Sequence, residues 1–350
     1  MRRGASKVRA KIGLLTTLII ISLVLHPSVS YGQSEKIKIV ATLEIYASIA
    51  KFIGGEFVET SYILPEGADP HDYSLTPSDL SKIEGADVLV LANSEFFTLE
   101  QRILDVSAGK LLIDFSDYEK YNVTVINLPG IGVNYHGYWI YPDNALAIAK
   151  AIREKLVLLD PDHKEVYDSN LEDFTDKILR LKSLLIKTSI ENNLYGADSI
   201  VAVPGAAYVA YSFGLGVVAS LLQGPGRFIN ATELDKIFSL AREGRIKVIL
   251  CPYALKDGKP GEMSRQLSED TGVPVAYVRV FSLSGLKDYF ALMTYNAGVL
   301  ASVNSAGMGG ISMELFYWYL LAIGILFSIV FIESVMIFKY KRRAEVAWHE

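Results

Sequence analysis

The chain has 350 residues, is 51% hydrophobic and carries a net charge of −5. That suits a globular body with added membrane segments, and without a basic stripe it excludes nucleic acid as the expected partner. A single cysteine, Cys251, excludes an intrachain disulfide framework and a four-cysteine zinc site.

Residues 1–32 read as a signal peptide or an N-terminal anchor. Basic residues reach Lys11, the apolar run Ile12 to Leu25 follows, and Pro27, Ser28, Ser30 and Gly32 form a cleavage-like zone. No cysteine follows the apolar run, so a lipid anchor at that place is not expected. A first α/β lobe is expected over 33–160. "KIKIVATL" (Lys36 to Leu43) is a strand and "EIYASIAKFIGGE" a helix stopped by Gly54-Gly55. "VETSYILP" is a strand, and "TPSDLSKIEGA" a helix with Thr76 or Ser78 near its cap and Pro77 in its first turn. "DVLVLAN" and "KLLIDFS" are further strands, and "DNALAIAKAIREKLVLL" is a helix broken by Pro161. A linking helix over 161–193 buries a stripe of Val166, Leu171, Phe174, Ile178, Leu181 and Leu185.

Strand–helix alternation resumes in a second lobe over 194–306, from "SIVAVPG" to "LKDYFALMTYNAGVLASV". Alternation of this kind implies parallel sheets covered by helices, and so two Rossmann-like α/β lobes joined by a long rigid helix. Ligands of such sheets bind beyond the carboxyl ends of the strands. A flexible linker is read in "SVNSAGMGG" (Ser302 to Gly310) and bounded at 307–314. The uncharged run Leu315 to Ile332 opens a transmembrane helix over 315–338 with an aromatic belt at its start. Lys339, Lys341, Arg342 and Arg343 place the tail, 339–350, in the cytoplasm and the body outside the cell membrane.

No phosphate-binding glycine loop, H-E-x-x-H helix or nucleophile elbow is present. Nucleotide binding is therefore not supported, a metallohydrolase is not expected, and the chain is not read as an enzyme. "NVT" at Asn122 and "NAT" at Asn230 permit glycosylation.

"GADPHDYSLTPSDLSKIEGADVLVLANSEFFTLE" resembles the first lobe of the metal-binding receptors of zinc/manganese ABC importers, the ZnuA/TroA-like solute-binding family. "YPDNALAIAKAIREKLVLLDPDHKEVYDSNLEDF" is similar to that family's second signature, and "YVAYSFGL", "SEDTGVPV" and "YNAGVLAS" are more loosely similar to its second lobe. The resemblance implies an inter-lobe metal, Zn2+ or Mn2+ as transported ligand, no organic cofactor, and an ABC transporter permease as partner. It carries a metal-ligand role onto His71 and His136. The family's two second-lobe ligands fall at Val203 or Pro204 and at Phe281, so neither usual donor is present.

The residues alone leave more open. His71 follows Pro70 in a loop, where Asp72 would orient its imidazole as a second-shell carboxylate. His136 sits among Tyr135, Tyr138 and Trp139, and could equally pack as a loop histidine. Cys251 ends a second-lobe strand, where a thiolate would complete a zinc site or a thiol would be a small buried hydrophobe. Tyr208, Tyr253, Glu95 and Asp114 are weaker candidates. Loss of the second-lobe donors supports an alternative, a binding or adhesion module that kept the fold and uses the cleft for another ligand.

Overall fold

The computed structural model describes residues 35–65, 68, 72–281 and 288–308. The leader, His71 and the expected membrane span with its tail lie outside the described residues.

In the first lobe β-branched runs form short strands, and helices return the chain between them. The order is β1 (Ile37–Ala41), α1 (Glu44–Gly54), β2 (Val58–Tyr62), α2 (Pro77–Gly85), β3 (Val88–Val90), α3 (Thr98–Asp105), β4 (Leu111–Ile113) and α4 (Phe115–Glu119). The strands pair in parallel in the order β2-β1-β3-β4. Local chemistry sets the helix starts. Thr76 and Asp79 form a reciprocal capping box before Pro77, and Asp114 and Asp117 form another before α4. A small antiparallel hairpin, β5 (Ile126–Leu128) and β6 (Gly132–Asn134), then leads to α5 (Pro142–Leu159).

Pro161 ends α5, and α6 (Lys164–Glu191) follows after one tight turn. Its 28 residues span about 42 Å. Tyr167, Phe174, Ile178, Leu181 and Leu185 are its buried stripe. Val166, expected there, is instead 38% exposed, because the buried face in the first turn is taken by its neighbour Tyr167, about 100° round the helix.

The second lobe contains β7 (Asp198–Val201), α7 (Ala207–Ser212), β8 (Gly216–Ser220), β9 (Leu222–Gly224), β10 (Arg227–Phe228), α8 (Ala231–Arg242), β11 (Ile246–Pro252), α9 (Lys259–Thr271), β12 (Val275–Val278) and α10 (Tyr289–Met308). Its parallel sheet runs β12-β11-β7-β8. The stretch 302–308, expected as flexible linker, continues α10 instead. No proline interrupts it, and its lone Gly307 before the Gly309-Gly310 pair is tolerated near the helix end. Among the described residues no helix is long and apolar enough to cross a membrane.

One apolar core runs through both lobes. It joins Ile39, Ile49 and Val90 of the first to Val201, Leu250 and Val278 of the second, by way of Phe174 and Leu185 on α6. A separate cluster around Ile200, Ile237 and Ile249 fills the far face of the second sheet. The final helix ties the lobes further: Phe290 lies 5.1 Å from Phe174 and 5.9 Å from Phe52, and Tyr289 Oη donates to the Ile140 carbonyl at 2.8 Å.

Candidate metal-binding cleft

A cleft of about 660 Å³ opens where the carboxyl ends of both sheets face each other. Residues just after β1 and β3 line one wall, including Leu43, Phe96 and Phe97. Residues just after β7, β11 and β12 line the other, including Val203, Leu255 and Phe281. This is the placement expected for open α/β sheets. The lining is mostly apolar on both sides.

His136 lies in the loop after β6, half-buried on the first-lobe wall. Its ring meets the Phe96 and Phe97 rings edge-on, at 5.1 and 5.7 Å between centroids. Asn134, fully buried, holds the loop: its Oδ1 accepts from the His136 backbone N–H at 3.0 Å and its Nδ2 donates to the Pro204 carbonyl at 3.0 Å. Tyr208 Oη donates to the Asn134 carbonyl at 2.6 Å and accepts from the Ile126 backbone N–H at 3.1 Å. The next residue, Gly137, has φ +83°, and a Cβ there would stand 2.7 Å from the Gly205 carbonyl oxygen. Only glycine lets the two backbones meet at this point. His136 is thus positioned by contacts that cross between the lobes.

Beneath this wall lies Glu100, 1% exposed. Its two oxygens accept from the Ala92 and Asn93 backbone N–H groups, each at 2.7 Å, and so fix the loop after β3 that carries Phe96 and Phe97. Burial pushes its carboxyl up to about 7, against the pull of those two hydrogen bonds. Beside it Tyr46 Oη donates to Tyr138 Oη at 2.8 Å, and Tyr138 Oη to the Ala92 carbonyl at 2.6 Å. Burial holds both phenols well above their ordinary range, so they act as neutral hydrogen-bonding groups.

His136, Asp72, Val203 and Phe281 all line the cleft. Asp72 is exposed, and its expected partner His71 lies outside the described residues. Cys251 does not line the cleft. It is fully buried at the end of β11 with Sγ against the Pro252 carbonyl at 3.6 Å, and burial pushes its thiol up to about 11. A neutral thiol in that position is a small hydrophobe and not a ligand. Among the weaker candidates, Tyr208 is committed to the hairpin, and Asp114 accepts from the Ser94 hydroxyl and backbone N–H and from the Phe115 N–H. Glu95 is exposed and absent from the cleft wall. Tyr253 lies under the Arg279 guanidinium, 4.2 Å from its ring centroid. His163 stands apart, stacked on Phe57 at 3.8 Å with Nδ1 2.7 Å from Asp160. Among the described residues no three His, Cys, Asp or Glu side chains come together to hold a metal ion.

The profile of the family described as "ZnuA: Zinc-uptake complex component A periplasmic" matches residues 39–303. The chain belongs to the ZnuA family. One relative is the "Manganese ABC transporter substrate-binding lipoprotein PsaA" of Streptococcus anginosus, 26% identical over 77% of this chain and 89% of its own length. Another is the "Iron ABC transporter substrate-binding lipoprotein MtsA" of Streptococcus pyogenes serotype M1, 28% identical over 76% of this chain and 88% of its own. A crystal structure of ZnuA superposes with TM-score 0.61 at 22% identity, covering 76% of this chain and 98% of the other. That superposition places this ZnuA-family chain in the same two-lobed fold.

Two residues of this ZnuA-family site carry no local motif and stand out only in the fold: Arg279 on the cleft wall and Asn134 behind His136. Trp139 entered the sequence reading only as a neighbour of His136, and Glu100 only as half of the Leu-Glu pair within the family-like stretch.

Proposed function

We propose that the protein is the substrate-binding component of an ABC importer for a divalent transition metal. The observation that carries this reading is a ZnuA-family cleft with His136 on one wall, its backbone anchored by Asn134 between two lobes. His71, in the loop after β2, is the second ligand, and Asp72 orients it. Zinc is the first choice of cargo and manganese the next, since neutral nitrogen donors suit zinc. The PsaA and MtsA relatives, named for manganese and iron, keep the other metals in view. Loaded protein would dock on a permease, and no covalent chemistry takes place. The segment 315–338 tethers the body outside the cell, with 339–350 in the cytoplasm.

Isothermal titration with Zn2+ and Mn2+ tests the reading. One ion binds per chain, His136→Ala and His71→Ala each weaken binding by more than roughly 10-fold through the lost ligand, and His163→Ala changes nothing. No heat and no rise in melting temperature with either ion would sink it. The alternative, a binding or adhesion module with another ligand, is supported by the apolar Val203 and Phe281 on the second-lobe wall, the positions onto which the resemblance carries the family's donors.

A further inference from the structure

The cleft is built for more than an ion. A bare divalent ion fills a few tens of Å³, whereas cavities of roughly 300–1,000 Å³ hold drug-sized organic ligands. This one measures about 660 Å³ and is lined by Phe96, Phe97, Trp139, Leu222 and Phe281 among other apolar groups. Aromatic rings reach it from both lobes, with Trp139 and Phe281 6.4 Å apart.

Its polar groups are divided by wall. His136, Glu44 and Asp72 stand on the first-lobe side. Arg279 stands on the second-lobe side and is the one lysine or arginine among the described lining residues. Its backbone is pinned by buried Asn296, which accepts from the Arg279 N–H at 2.7 Å and donates to its carbonyl at 2.8 Å. Its guanidinium lies 4.2 Å over the Tyr253 ring and 5.2 Å over the Tyr295 ring. It forms no ion pair with a described acidic residue, and its buried Nε has no hydrogen-bond partner. Trp139, 3% exposed, likewise has an indole Nε1 without a partner. The cleft therefore offers an imidazole on one wall, a single arginine on the other and apolar rings between them.

We propose that the cleft takes its metal as a complex with a flat, apolar organic chelator bearing an anionic group. The metal sits on the His136 wall, the rings fill the apolar space, and the anion meets Arg279. The chelator's own donors then supply the coordination positions that Val203 and Phe281 leave without a protein ligand. This deepens the metal-cargo reading above and rests on it.

Calorimetry on the full-length chain separates the two. The probes are Zn2+ alone, 8-hydroxyquinoline-5-sulfonate alone, and their equimolar complex. The complex should bind one per chain at least tenfold tighter than either component. Arg279→Gln should remove at least that tenfold and leave the affinity for Zn2+ alone unchanged, while Arg279→Lys recovers part of it. Val203→Trp, which fills the cleft, should weaken the complex more than the ion, with a circular-dichroism melt showing that each variant folds. Zinc alone binding as tightly as the complex, or complex binding indifferent to both the Arg279 and Val203 variants, overturns the inference and leaves the metal-cargo reading standing. Chelator binding equally well without zinc also overturns the inference and leaves the metal-cargo reading to the zinc titration, whereas failure of both zinc and its complex to bind overturns both.

Discussion

Glu100→Gln probes the buried carboxylate that holds the wall of the cleft. In the folded protein its carboxyl is pushed from 4.5 to about 7 by burial. The folded state therefore binds more protons at this group than the unfolded chain between those two values, and stability falls as pH rises through that window. At about 1.36 kcal/mol per pKa unit, ionising Glu100 costs roughly 2–3 kcal/mol between pH 5 and pH 8. Glutamine cannot ionise, but its amide group must face one of the two backbone N–H groups of Ala92 and Asn93, each now satisfied at 2.7 Å. That mismatch costs about 1–3 kcal/mol at any pH. Urea unfolding of both proteins, followed by circular dichroism, separates the effects. The variant should be the less stable at pH 5, and its deficit should shrink by roughly 2–3 kcal/mol at pH 8, because only the native protein carries the ionisation cost. Groups shared by both proteins cancel in this comparison. A deficit equal at the two pH values to within about 0.5 kcal/mol would refute the buried, proton-loving carboxyl.

Three further outcomes follow from the same geometry. Tyr208→Phe strips the Asn134 carbonyl and the Ile126 N–H of their partner, should cost about 2–3 kcal/mol in a denaturant melt, and should weaken metal binding by loosening the His136 loop. Gly137→Ala forces a Cβ to within 2.7 Å of the Gly205 carbonyl at φ +83° and should cost about 3 kcal/mol or more. Gly205→Ala, whose Cβ meets nothing nearer than 3.8 Å, should cost less than about 1 kcal/mol, and equal effects at the two positions would count against the backbone contact. Cys251→Ala should leave zinc affinity within about twofold, and native Cys251 should resist thiol reagents until the protein unfolds, as a buried neutral thiol does.

Much of the scaffold was legible in the chain because its signals are local. Thr76-Pro77 announced a helix start, Pro161 a break, and the spacing from Phe174 to Leu185 a buried helical face. Val166 shows the limit of such patterns: an apolar residue one position off the stripe is counted into it, while the amphipathic Tyr167 beside it is the one buried. The small hairpins escaped because strands of two or three residues have no measurable alternation. For the cleft, histidines could be singled out by type and by family resemblance. Asn134 could not, and Tyr208 stands out only as a weaker ligand candidate, since the bond that gives both their role exists only once residues 74 positions apart are brought together. Arg279 reads in the chain as one more charge after a strand, and only the fold brings it to the cleft wall between two tyrosine rings.

The continuity of the core through α6 and α10 bears on what happens if the backbone is cut. A protease nick near Asn193, in the turn between α6 and β7, would leave two pieces whose sheets are each intact. Yet α10 belongs to the later piece by sequence and packs on α6 and Phe52 of the earlier one. The pieces would hold each other's apolar surface out of water and should elute together in a native column, coming apart only in denaturant. Cleavage at the apparent lobe boundary is therefore a poor way to isolate a lobe. The same property makes Asn193 a suitable point at which to express the protein as two complementing fragments.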